Sequence, residues 1–154
     1  MDTRKTIPGL RLLEKEAVTH GGGTNHRMNL SVDYLIKDNH IAACGDIRQT
    51  IRAIKEHRSK VNGKNFTIEV EVKDLKELKE ALLEKPDIIL LDNMNLGQIR
   101  KAVQINKGQA LLEVSGGVNL KTVHKIAATG VSRISIGRLT HSAPAADISL
   151  EIEI

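Results

Sequence analysis

The sequence predicts an α/β domain built on a parallel sheet, and three observations predict it. Short apolar runs recur along the 154 residues, each closing on a polar or glycine residue. Lys37 follows Tyr34-Leu35-Ile36, Glu71 follows Phe66 to Val70, Asp92 follows Ile88 to Leu91, Ser115-Gly116-Gly117 follows Leu111 to Val114, and Gly137 follows Ile134 to Ile136. From Glu71 onward these ends are 21, 23 and 22 residues apart, the length of one strand, one helix and two short loops. Helical stripes fill the intervals. Parallel strands share one rim at their C-terminal ends, so a lysine, two carboxylates and two glycine turns are expected to converge there.

Taken in order, Asp2 to Thr6 reads as the tail of an early strand. Pro8 suits a helix start, and Leu10, Leu13 and Ala17 share a face after it. A strand from 34 precedes the stripe Ile47, Ile51 and Ile54, and a strand from 66 precedes the clearest stripe, Leu75, Leu78 and Leu82. Asp74 is placed to cap that helix, whose other side carries Lys76, Glu77, Lys79, Glu80 and Glu84 for water. A strand from 88 leads to Leu96, Ile99 and Val103; one from 110 leads to Leu120, Val123 and Ile126 or Ala127; another starts at 132. Asn95 and Asn119 are candidate caps. The total is five strands and a stub, with near-continuous apolar strands covered on both faces by right-handed crossovers. Pattern alone leaves an open doubly wound sheet and a closed or nearly closed barrel as alternatives. Residues 1–154 read as one domain, without a linker, low-complexity tract or second core.

Composition removes several classes of function. Tyr34 and Phe66 are the only aromatic residues, so there is no platform for stacking bases and nucleic-acid binding is not expected. The basic residues from Arg48 to Lys64 alternate with apolar positions, as on a solvated helix face. With a net charge of +4, small anions are the better-matched ligands. Cys44 is the single cysteine, read as structural and suited to a reducing compartment. No run approaches the ~20 apolar residues of a membrane span, so a cytoplasmic protein is expected.

Several segments carry residues suited to chemistry. Thr3-Arg4-Lys5-Thr6 sets two mutually repelling cations beside two hydroxyls, an arrangement relieved by an anion between them; a merely charged terminus is the plainer alternative. Gly21-Gly22-Gly23-Thr24-Asn25-His26-Arg27 reads as a loop whose backbone can approach a ligand, with the Arg27 fork suited to a carboxylate. Lys37 ends a buried strand and either reaches solvent or serves an anionic substrate. Glu71 and Asp92 end successive strands, and two hard carboxylates suit Mg2+, although they could simply pair with Lys37 or Arg4. Glu69 points with Glu71 and Glu113 with Ser115, both deeper in. The turns at Ser115-Gly116-Gly117 and at Gly137 to Ser142, which includes Arg138 and His141, expose N–H groups that can hold one phosphate.

In this order the motifs resemble the quinolinate phosphoribosyltransferase family, also called nicotinate-nucleotide pyrophosphorylase (carboxylating). The blocks are TRKT-x-PGLR at 3 to 11, GGGTNHR at 21 to 27, LIKDNHI at 35 to 41, IEVEV at 68 to 72, IILLDNM at 88 to 94, EVSGGVN at 113 to 119 and ISIGRLTHSAPAADISL at 134 to 150. The resemblance implies a parallel (β/α) barrel of about six strands, TIM-barrel-like and incompletely closed, with its first strand truncated. It implies transfer of phosphoribose from phosphoribosyl pyrophosphate to quinolinate with decarboxylation, giving nicotinate mononucleotide, pyrophosphate and CO2, with Mg2+ as cofactor. Arg4, Lys5, His26, Arg27 and Lys37 would bind the quinolinate carboxylates and neighbouring phosphate charge. Glu71 and Asp92 would hold the ribose hydroxyls and the metal, directly or through water, and with Lys37 form the catalytic set. Ser115, Gly116, Gly137 and His141 would take the 5′-phosphate. Family members also carry an N-terminal α/β sandwich domain and dimerise, so a homodimer or higher homo-oligomer is expected and this chain is expected to be the barrel portion. The contrasting expectation is an inactive truncated remnant that binds only phosphate, a pyridine carboxylate or a full-length subunit. Arg138 stands where a small residue is common in the family.

Overall fold

The computed structural model describes residues 1–61 and 66–153; Lys64, at the end of the basic stretch, lies outside the described residues. Five parallel strands, β1 (Tyr34–Ile36), β2 (Ile68–Val72), β3 (Ile88–Asp92), β4 (Leu111–Ser115) and β5 (Arg133–Ile134), pair in chain order. Helices α3 (Ile47–Lys60), α4 (Leu75–Leu83), α5 (Leu96–Asn106) and α6 (Val123–Ala127) pack on one another in the same succession, as one outer layer. A sheet covered by helices on one face curls toward a barrel; among the described residues this one stays open between β5 and β1. Met1 supplies the stub. Its N donates to Ile134 O at 2.6 Å and its O accepts from Ile136 N at 2.9 Å, a parallel bridge opposite Ser135.

Alternation along each strand separates two faces. Ile68, Val70 and Val72 of β2, Ile89 and Leu91 of β3, and Leu112 and Val114 of β4 are buried against Ile51, Leu78 and Ile99 of the helices. Leu78 is fully buried, so truncating it to alanine costs about 2–5 kcal/mol. The opposite, inner face carries Glu69 and Glu71, Leu90 and Asp92, and Glu113 and Ser115. In register, Leu90 lies between Glu71 and Glu113, and Asp92 faces Ser115. The doubly covered apolar strands expected from the sequence are therefore uniformly apolar on the helix side only, the inner face mixing Ile88 and Leu90 with carboxylates.

Local signals account for most helix ends. Asp74 accepts from Lys76 N and Glu77 N at 2.8 Å, and Asn95 and Gln98 cap α5 reciprocally. Asn119 differs from expectation: it organises a turn, α6 begins only at Val123, and Leu120 is exposed. A short helix that the pattern did not announce, α2 (Asp38–Cys44), follows Lys37, and α7 (Arg138–His141) follows Gly137. Cys44 is free and exposed rather than part of the core.

The first helix, α1 (Arg11–His20), overturns its predicted face. Leu12 and Leu13 are exposed, while Lys15 and Val18 are buried and Arg11 turns inward. Arg11 donates to Thr6 Oγ1 and to the carbonyls of Arg4 and Met28, and Lys15 donates to His26 O. Two extended backbone segments beneath this helix lack a strand partner for these carbonyls, so donors displace leucines on its inward side. Ile148, Leu150 and Ile152 near the C-terminal end are exposed and outside regular secondary structure. Among the described residues no helix is long and apolar enough to cross a membrane.

Candidate functional site

A cavity of about 430 Å³ opens at the C-terminal rim of the strands. Arg4, Lys5, His26, Arg27, Lys37, Glu71, Asp92 and Ser115 line it, together with Thr3, Leu35, Leu90, Asn93, Glu113 and Ser135. Eight of the residues assigned a binding or catalytic role from sequence thus line one cavity, with Thr3 and Glu113 beside them. Each arrives by a local rule: Lys37, Glu71, Asp92 and Ser115 end the inner face of four successive strands, and Arg4 and Lys5 follow the Met1 bridge. Gly116 adjoins Ser115. Gly137 and His141 sit to one side, where a Cβ on Gly137 would lie 3.8 Å from Lys5 Cδ and 2.7 Å from His141 Nε2. Thr140 Oγ1 donates to Lys5 O at 2.6 Å, fastening α7 to the Arg4-Lys5 segment.

The cavity separates its charges. Lys37 Nζ lies 3.1 Å from Glu71 Oε2, and both remain partly exposed. His26 is set among deeper groups, with Nε2 at 3.2 Å from Glu69 Oε2 and 3.5 Å from Glu113 Oε1. Hydrogen bonds to Glu113 and Glu69 outweigh burial and raise the His26 pKa from 6.5 to about 9. Arg27 N faces Nδ1 at 2.8 Å, a contact suited to the neutral ring; the two carboxylates prevail over it. Burial pushes the Glu113 carboxyl up, but the hydrogen bonds from His26 and Ser135 together hold it below the ordinary range. Burial, and then the neighbouring Arg4 charge, lower the Arg27 guanidinium from its usual value.

Among the described residues, one donor and two acceptors are left over. Arg4 Nε, Glu69 Oε1 and Glu113 Oε2 are buried without a hydrogen-bond partner. Since both ring nitrogens of His26 face protein groups, the donors with spare N–H capacity are Arg4, Lys5, Arg27 and Lys37. An anionic ligand matches that set better than a neutral one does.

Glu71 and Asp92 offer only oxygen donors at the cavity wall, a donor set that fits a hard divalent cation keeping much of its water. His26, Glu69 and Glu113 also bring ligand atoms within 4.8 Å of one another. There the imidazole Nε2 lies between the two carboxylates, at 3.2 Å from Glu69 Oε2 and 3.5 Å from Glu113 Oε1.

The glycine turn beside Ser115 is sterically required. Gly116 has φ +94°, and a Cβ there would lie 2.1 Å from Asn93 Oδ1 and 2.9 Å from Asn93 N. Asn93 in turn donates from Nδ2 to Asp92 Oδ2 at 2.8 Å. Sequence reasoning passed over Asn93, Ser135, Asp2 and Lys15. Ser135 was accessible through alternation, two residues before Gly137 on the inner face; Lys15 gave no signal, because a lysine on a helix normally faces water.

Comparison with known proteins agrees with this geometry. The profile of the quinolinate phosphoribosyl transferase C-terminal domain matches residues 1–151. The chain is 45% identical over 154 residues to the nicotinate-nucleotide pyrophosphorylase [carboxylating] of Mycobacterium leprae, covering 98% of this chain and 52% of that one. It is 43% identical over 153 residues to a probable nicotinate-nucleotide pyrophosphorylase [carboxylating] of Bacillus subtilis, covering 99% and 52%. Among solved structures, the nicotinate-nucleotide pyrophosphorylase from Ehrlichia chaffeensis superposes with TM-score 0.87 at 48% identity, covering 99% of this chain and 54% of that one. The chain therefore spans about half the length of the curated relatives it matches. On the strength of this match over nearly its whole length, the chain belongs to the quinolinate phosphoribosyl transferase family, in the part that forms the C-terminal domain.

Proposed function

We propose that the chain carries the reaction centre for phosphoribosyl transfer from phosphoribosyl pyrophosphate to quinolinate with decarboxylation, a step of NAD biosynthesis that yields nicotinate mononucleotide, pyrophosphate and CO2. The observation that carries this reading is the cavity wall itself, where Arg4, Lys5, Arg27 and Lys37 surround a space that also opens on Glu71 and Asp92. The curated relatives' names, which specify a carboxylating pyrophosphorylase, support the same chemistry.

In this reading the four cations hold the two pyridine carboxylates, with His26 adding charge at the wall. The orphaned Arg4 Nε supplies a donor that a ligand carboxylate would satisfy. Glu71 and Asp92 take the ribose hydroxyls and would hold Mg2+, directly or through water. When bound, the ion offsets charge on the departing pyrophosphate. As the C1–pyrophosphate bond lengthens, positive character at the anomeric carbon is favoured by the Glu71 and Asp92 carboxylates. Ser115, Gly116, Gly137 and His141 keep the 5′-phosphate in place, so the sugar presents C1 to the ring nitrogen. Once that nitrogen is quaternised, its positive charge stabilises the electron pair left on the adjacent ring carbon as CO2 departs, that carbon then takes a proton from water, and no side-chain nucleophile is required. The reading includes a homodimer or higher homo-oligomer and a cytoplasmic setting, the latter supported by the free, exposed Cys44.

Incubation with quinolinate, phosphoribosyl pyrophosphate and Mg2+ is expected to yield nicotinate mononucleotide, followed by chromatography. Quinolinate binding without product would leave a binding module. The absence of both binding and product overturns the reading.

A further inference from the structure

Asp2 and Lys15 form a buried ion pair behind the cavity, with Lys15 Nζ 2.8 Å from Asp2 Oδ1 and side-chain exposures of 1% and 0%. Taking an ammonium and a carboxylate out of water costs several kcal/mol for each ion, and a leucine on the inward side of α1 would avoid that cost. What the pair holds is specific. Lys15 Nζ donates to His26 O at 2.9 Å, and His26 N donates to Asp2 Oδ1 at 2.7 Å. The two halves of the pair thus grip both backbone polar groups of a single residue. Asn25, with its amide oriented to satisfy its neighbours, donates to Asp2 Oδ2 at 2.6 Å and to Lys15 O at 3.0 Å. Asp2 N donates to Thr24 O at 3.2 Å, so the 24–26 segment is docked along the Met1-Asp2 stub on the side away from β5.

We propose that Lys15 and Asp2 are positioning residues, which set the His26-Arg27 segment against the cavity so that recognition of an aromatic dicarboxylate depends on two side chains that do not line the cavity. The ligand half of this inference rests on the function proposed above; the backbone half stands on the hydrogen bonds alone. Without the ammonium, His26 O and Asp2 lose their shared donor in a dry site, and an Asp2 carboxylate left without its counter-charge holds the 24–26 segment less firmly. A loose segment binds its ligand more weakly because ordering it draws on the binding free energy.

The test uses Lys15→Met in the full chain, with amide hydrogen exchange and calorimetric titration of quinolinate and, separately, inorganic phosphate. Sheet amides are expected to keep their protection while residues 22–28 exchange about tenfold faster. The quinolinate Kd is expected to rise about tenfold while that for phosphate, held at the glycine turns, stays within about twofold. Unchanged exchange at 22–28 overturns the inference, as does a quinolinate Kd within about twofold of the original or an equal loss for both ligands, which marks general destabilisation. If the original chain binds no quinolinate, the ligand reading falls by itself and the exchange result still decides the clamp. If Lys15→Met does not fold, Asp2→Asn, which keeps the shape and removes the charge, is judged by the same criteria.

Discussion

Replacing Gly116 by alanine places a methyl group where the structure has no room for one. The added Cβ would sit 2.1 Å from Asn93 Oδ1, 2.6 Å from its Cγ and 2.9 Å from its backbone N. A rotamer change removes the first two contacts. The third involves backbone that is itself fixed, since Asn93 N donates to Ser115 O at 3.0 Å. Holding a residue with a Cβ at φ +94° costs about 1–3 kcal/mol, and relieving the clash about 1–3 kcal/mol more. For a domain of this size a loss of about 2–6 kcal/mol lowers Tm by roughly 5–20 °C. Gly117 provides the internal control: at φ +60° with nothing within 4 Å of its Cβ position, alanine there meets only the left-handed backbone cost, about 1 kcal/mol. Thermal melts of the two variants, followed by circular dichroism, measure the difference. A Gly116→Ala protein melting within about 3 °C of Gly117→Ala would refute the steric argument. Because the displaced Asn93 also holds Asp92, Gly116→Ala is expected to weaken Mg2+ binding as well, and Gly117→Ala is not.

The charged cluster under the cavity makes stability depend on pH. His26 is raised in the folded protein to about 9, so its contribution is complete below its ordinary 6.5 and disappears as pH rises through about 9. The 2.5-unit interval corresponds to about 3 kcal/mol, and Tm is expected to fall between pH 6.5 and 9.5 in the original chain but much less in His26→Gln; equal slopes would contradict this. Lys37→Ala removes the ammonium 3.1 Å from Glu71, which is expected to tighten Mg2+ about two- to fivefold while weakening quinolinate; calorimetry giving a weaker Mg2+ site would count against the pairing. Leu12 and Leu13 at 72% and 64% exposure, with Ile7 at 51%, predict self-association, measured by light scattering and reduced by Leu12→Glu; a monodisperse monomer at all concentrations would rule it out.

The residue pattern carried the strand succession because each inner-face residue that ends a strand is chemically unlike the apolar residues before it. Lys37, Glu71, Asp92 and Ser115 could therefore be placed on one rim before any coordinates, by period-two alternation and, from Glu71 onward, a nearly constant spacing. Caps at Asp74 and Asn95 were equally local. What resisted sequence reasoning depended on distant partners. Leu10, Leu13 and Ala17 looked like the packing face of α1, yet Arg11, Lys15 and Val18 occupy it, because the segments beneath offer carbonyl oxygens rather than apolar surface. Glu69 and Glu113 were assigned to the inner face, but that they enclose His26 could only follow from the curvature that brings β2 and β4 to the same loop.

By itself, then, the sequence determined the alternation of strand and helix, the parallel sense of the strands and the chemical types gathered at the rim, since these depend on residues near one another in the chain. Tertiary structure alone decided which side of α1 is buried, how Met1 bridges to β5, and why a lysine and an aspartate share the least hydrated position behind the cavity. Those outcomes turn on backbone groups left unpaired at the open edge of the sheet, and whether such a group is satisfied is settled only when segments far apart in the chain meet.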